Sequence, residues 1–275
     1  GTVNLDLGDG IRNISVTGEP SSEETVNVAL TEGGNYSGTW SGFGGSDELS
    51  LTADADITGI SSTGGELGGL TTVDIGGETL TATAVQVSAI TDFSANGGTV
   101  DATGLADNST VNLGNVTNNA AGKLTLGASD VTLDAGADLG DFAVELANDQ
   151  SLTAVTASQL SDSGGAGREI LTGGDGTGTA VGLDFGSASS PVTVDAANWS
   201  ADLGGVNFVD TNTQALTLNN LSVDSGTALD FTNLSDGSAT VDMSDGSGNA
   251  LAYAYDASGD TINYDVAASG DAWDA

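Results

Sequence analysis

The chain contains no cysteine and no histidine among its 275 residues, and only three basic side chains, Arg12, Lys123 and Arg168. Without cysteine there is neither a disulfide nor a thiolate nucleophile. Without histidine the usual general base, zinc ligand and triad member are gone. Three cations cannot build the basic patch that binding phosphate requires, which excludes nucleic-acid partners and anionic lipid. No apolar run approaches the roughly 18 residues of a spanning helix, so membrane insertion is not expected. Aromatics make up 5% of residues and there are two prolines. A thick core is hard to assemble from this material. A thin one of Val, Leu, Ile and Ala is not.

What is present is acid. Thirty aspartates and nine glutamates against three cations give a formal charge of −36. Charge of this size opposes compaction unless salt or bound cations screen it. Aspartate outnumbering glutamate points to turns, where the short carboxylate bonds nearby amides, and to calcium, which takes oxygen ligands. Carboxylate-only catalysis by a pair such as Asp54 and Asp56 lacks the aromatic platforms and cations that a glycan substrate calls for. The composition therefore argues against an enzyme.

Forty-two glycines, with abundant Thr, Val, Ser, Asn and Asp, disfavour helices. The two most helix-like stretches, Thr83–Ile90 and Thr153–Leu160, are short. The dominant pattern is brief apolar–polar alternation, the two-residue period of a half-buried strand. It occurs at Val3–Leu7, Val111–Leu113, Leu124–Leu126, Val131–Leu133 and Leu216–Leu218. Strands this short and closely spaced suit the rungs of a parallel β-helix or β-roll-like solenoid. Two or more β-sandwich domains, with Gly1–Leu7 as a donor strand, are the alternative.

Repetition is degenerate. Val-Asp preceded by Thr or Ser recurs at Thr72–Asp74, Thr99–Asp101, Thr193–Asp195, Ser222–Asp224 and Thr240–Asp242, at no fixed spacing. A second phrase joins Leu80–Gln86 (LTATAVQ) to Leu152–Gln159 (LTAVTASQ). No regular T-x-T ladder of the kind a flat ice-binding face needs is visible. Composition shifts divide the chain into residues 1–45, an N-terminal β segment or cap, 46–170, a solenoid-like region, and 171–275, a second β region with a C-terminal cap. The opening Gly1-Thr2-Val3-Asn4-Leu5 is already strand-like and reads as the start of a mature or excised chain.

The most informative local pattern is Gly42-Phe43-Gly44-Gly45-Ser46-Asp47-Glu48-Leu49-Ser50. It matches the calcium-binding nonapeptide G-G-x-G-x-D-x-U-x except that Phe43 replaces the second glycine. Gly173–Thr179 (GGDGTGT) keeps the glycines but has Gly178 at the ligand position, and Gly259–Asn263 is a shorter fragment. On these residues the chain resembles bacterial RTX-type surface proteins and the S-layer and giant adhesin proteins built from degenerate β-strand repeats. The resemblance implies calcium ordering the repeats after secretion, with Asp47 as ligand and Glu48 as its neighbour. Asp54, Asp56, Asp175 and Asp184 are further candidates by proximity. It also implies an extracellular, cell-surface protein that associates with copies of itself or, as an adhesin stalk, with cell-surface glycan. Tyr36, Trp40, Trp199 and Trp273 are the aromatic candidates for glycan contact. Seven N-x-[ST] sequons stand against about four expected by chance and carry little weight.

Overall fold

The protein is described by a computed structural model. It describes residues 2–8, 10–18, 25–44, 47–64, 66–102, 104–105, 109–112, 115–117, 122–126, 130–137, 139, 142–160, 168–173, 178–185, 188–190, 192–200, 203–209, 216–219, 228–230, 240–244, 251–253 and 261–264. The described residues build a parallel β-solenoid of about seven turns. Two compact units are distinguished, Gly1–Ala128 with Gly136–Ala143, and Ser129–Ala135 with Val144–Ala275.

The first unit begins with β1 (Thr2–Asp6), β2 (Val16–Thr17), β3 (Thr25–Leu30) and β4 (Gly34–Ser41). It continues with β5 (Glu48–Leu51), β6 (Ala55–Thr63), β7 (Thr72–Asp74) and β8 (Thr79–Thr81). A single-turn helix α1 (Ala84–Ala89) precedes β9 (Asp92–Ser94), β10 (Thr99–Asp101), β11 (Ser109–Val111), β12 (Asn115–Thr117) and β13 (Lys123–Leu126). Apart from β11, the strands of this unit alternate between two parallel sheets as the chain winds. One sheet runs β1-β3-β5-β7-β9-β12, and the other stacks β2, β4, β6, β8, β10 and β13 in that order.

The second unit contains β14 (Val131–Leu133), β15 (Ala143–Leu146), β16 (Ser151–Ala154), β17 (Ile170–Thr172), β18 (Ala180–Asp184) and β19 (Val192–Asp195). It ends with β20 (Gly205–Val209), β21 (Leu216–Asn219), β22 (Ala228–Asp230), β23 (Thr240–Ser244), β24 (Leu251–Tyr253) and β25 (Thr261–Tyr264). Its longest stacks are β14-β16-β18-β20-β22 and β19-β21-β23-β25-β24. Among the described residues β24 with β25 is the antiparallel exception.

The alternating triplets explain the stacking. In the first sheet one residue of each of β3, β5, β7 and β9 points in, giving a ladder of Val28, Leu49, Val73 and Phe93, all fully buried. Leu80, Val100 and Leu124 do the same in the second sheet. In the second unit Leu152, Val181 and Val206 form the equivalent ladder. Each rung thus contributes one or two apolar side chains per strand to a narrow interior, and each buried side chain of this size contributes about 1.5–3 kcal/mol.

Val3–Leu7 supplies β1, Leu124–Leu126 lies in β13, Val131–Leu133 is β14, and Leu216–Leu218 lies in β21. At Val111–Leu113 the strand ends on Val111 instead, and β12 is an additional strand. Thr83–Ile90 holds α1, whose N-cap Thr83 and third residue Gln86 form a reciprocal capping box. Thr153–Leu160 splits. Thr153 and Ala154 close β16, and only Ala157–Leu160 turns, as a 3-10 segment.

One regularity runs through the registers. No acidic residue is aligned with another acidic residue on a neighbouring rung among the described pairs. Asp56 and Asp101 share a row with Thr81 between them. Glu48 and Asp92 are separated by Thr72, and Asp74 lies between Ser50 and Ser94. In the second unit Asp195 aligns with Asn219, and Asp242 with Thr217 and Asn263. Adjacent rungs lie about 4.8 Å apart, so same-row acids two rungs apart are about 10 Å apart. That exceeds the roughly 8 Å screening length at physiological salt. A carboxylate pair on adjacent rungs would cost on the order of 1 kcal/mol in water; the observed spacing reduces it to a few tenths.

Candidate functional site

The nonapeptide-like segment forms the corner that leads into β5. Asp47 is 4% exposed, and both carboxylate oxygens are engaged. Oδ1 accepts the Val26 amide at 2.7 Å, and Oδ2 accepts the Gly44 amide at 2.7 Å. The Asp47 amide itself donates to the Gly44 carbonyl at 2.9 Å. The carboxylate therefore ties the loop before β5 to the start of β3, one rung earlier. Buried charge is tolerated when it collects donors in this way.

The glycines of this corner answer to backbone proximity. Gly42 has φ +72°, and a Cβ on Gly18 would lie 2.6 Å from the Gly42 carbonyl oxygen. Only glycine lets the two rungs approach so closely. Phe43, which stands where the nonapeptide has its second glycine, is buried against Trp40, with ring centroids 5.8 Å apart.

The other described candidates of the first unit, Glu48, Asp54 and Asp56, have partners of their own. Glu48, the next residue, is half-buried on the opposite face of β5 from Leu49, in register with Asn27 and Thr72. Asp54 is exposed, and its Oδ1 accepts the Thr79 amide at 2.8 Å from the next rung. Asp56 Oδ1 accepts the amide and hydroxyl of Thr58 at 2.9 and 2.6 Å. Asp184 closes β18 and aligns with Val209. Asp175 lies outside the described residues, as does Trp273. Among the described residues no three acidic side chains cluster closely enough to share a metal ion.

The aromatic candidates for glycan contact are corrected by their burial. Tyr36 is 1% exposed, Trp40 fully buried and Trp199 5% exposed. The Tyr36 hydroxyl donates to the carbonyls of Leu7 at 3.0 Å and Glu32 at 2.6 Å. These rings plug the thin interior where small aliphatic residues do not fill it. Arg12 is likewise occupied internally, pairing with Glu32 at 2.8 Å, donating to the Gly33 carbonyl at 2.9 Å and lying 5.0 Å from the Tyr36 ring.

Comparison with family models, with curated proteins and with solved structures returned no match. No helix among the described residues is long and apolar enough to cross a membrane.

A class of residue outside the nonapeptide pattern holds two further corners. Gln86 is 2% exposed; its Nε2 donates to the Ile57 carbonyl at 2.8 Å, and its Oε1 accepts the Thr83 amide at 3.0 Å. Gln159 is fully buried; its Oε1 accepts the Val155 amide at 2.8 Å and its Nε2 donates to the Asp134 carbonyl. In both cases the carbonyl belongs to the preceding rung, 29 and 25 residues earlier. The recurring phrases at Leu80–Gln86 and Leu152–Gln159 thus encode one device, a strand followed by T-x-x-Q whose glutamine bridges rungs. The signal was the Thr–Gln spacing that both phrases share.

Proposed function

We propose that this chain is a structural building block of the extracellular cell surface, which associates with copies of itself into a lattice or filament through divalent cations, calcium foremost, held between acidic faces. The observation that carries the reading is the outer row pattern. Short polar side chains occupy the outward strand positions, and carboxylates recur two rungs apart in two rows, Asp56 with Asp101 and Glu48 with Asp92. Facing copies carry the same sign of charge and repel. A divalent ion between two such faces turns repulsion into cohesion, because calcium accepts carboxylates from both sides in flexible geometry. The row spacing leaves room for each carboxylate to take part without crowding its own neighbour.

The burial of Tyr36, Trp40 and Trp199 removes three contact residues from the glycan-binding alternative, which favours self-association over an adhesin stalk. The test is electron microscopy of the purified chain in millimolar calcium and after chelation. Ordered sheets or fibres in calcium that disperse on chelation are expected. Dispersed single particles under both conditions would end this reading.

A further inference from the structure

Resting on that reading, we infer that the rungs of this chain cohere without calcium, so that the cation acts on contacts between copies and not on folding. This departs from what the nonapeptide resemblance implies, namely calcium ordering the repeats. The departure comes from how the carboxylates are occupied. Asp47 has each oxygen on a backbone amide at 2.7 Å, so its charge already collects two donors without a cation. Other acids at rung corners each accept one amide, Asp54 from the next rung and Asp74 and Asp195 from two residues on. Asp54 takes the Thr79 amide, Asp74 the Gly76 amide at 3.1 Å and Asp195 the Ala197 amide at 3.0 Å.

The outward acids need no ion to hold the stack either. Among the described strand pairs, each is aligned with a neutral residue on the adjacent rungs, as Asp56 and Asp101 are with Thr81. The repulsion that calcium would otherwise relieve within the solenoid is already reduced by spacing. Between copies, the full charge of −36 on each opposes contact.

The experiment follows thermal unfolding by circular dichroism and particle size by sedimentation velocity, on the same sample, with calcium chloride and with excess EDTA. Calcium present at 100 times the dissociation constant of a rung site would raise the midpoint of a chain this long by about 5–10 °C. The expected shift is below about 2 °C, with larger particles in calcium only. An unfolded chain in EDTA, or a calcium-induced rise of 5 °C or more, overturns the inference while leaving self-association standing. Absence of larger particles in both buffers ends the assembly reading, and the midpoints still decide the inference. Asp47→Asn supplies a second arm: its midpoint should fall by the same amount in both buffers. A loss confined to calcium would make Asp47 a ligand.

Discussion

At the corner before β5 a carboxylate collects two backbone amides, whereas at the corner after β8 a neutral carboxamide does the equivalent work. The Asp47 carboxylate accepts twice and donates nothing, so it suits a place where two amides converge from different rungs. Gln86 accepts from its own turn and donates to the rung before, so it bridges an amide and a carbonyl. The carboxylate forms stronger bonds but costs more to bury; the carboxamide is weaker and cheaper. The difference shows that side-chain choice at a solenoid corner is set by whether the unpaired backbone groups there are donors alone or a donor and an acceptor.

The largest expected effect comes from removing the charged tie. Asp47→Ala leaves the Val26 and Gly44 amides without their acceptor and should cost about 3–4 kcal/mol, read as a lower urea midpoint. Gln86→Ala orphans the half-buried Thr83 amide and the buried Ile57 carbonyl, with an expected loss of about 2–3 kcal/mol. If Gln86→Ala proved the costlier of the two, the ranking of charged over neutral ties would be reversed.

A smaller effect tests the row pattern. Thr81→Asp places a third carboxylate between Asp56 and Asp101 and should destabilise by about 1 kcal/mol at low salt, falling to less than half of that in 1 M sodium chloride. A salt-independent loss would mean that packing, not charge, was disturbed. The smallest effect is assigned to Val85→Ala on α1, where the side chain is 58% exposed and touches no corner tie. Its unfolding midpoint should correspond to a change within about 0.5 kcal/mol.

Much of the fold was legible because strand triplets are local. Leu124-Thr125-Leu126 needs only its own alternation to be read as a strand, and it is one. The period of the solenoid was not legible, because rungs run from 20 residues, Thr72 to Asp92, up to 29, Ser151 to Ala180. The Val-Asp triplets misdirect in a specific way. Thr72–Asp74 and Thr99–Asp101 belong to different sheets, so their spacing of 27 measures no rung. Thr193–Asp195 and Thr240–Asp242 do share a sheet, but β21 lies between them. At the site, the glycine–aspartate spacing located a real corner, and what it could not convey was which backbone amides stand opposite the carboxylate. Asp47 finds Val26 only because β3 precedes it by one turn, a fact of stacking that no local motif contains.

The row pattern also constrains how such a chain can grow. Copying a single rung and laying the copy on its parent would put every acid over its own duplicate, a mistake repeated along each face. Duplicated segments must therefore lose acids on one copy, or be copied in blocks whose seams happen to place an acid against a hydroxyl or amide. Either history erases the tandem identity by which solenoids are ordinarily recognised, so faint repeats are what selection on a strongly acidic stack leaves behind.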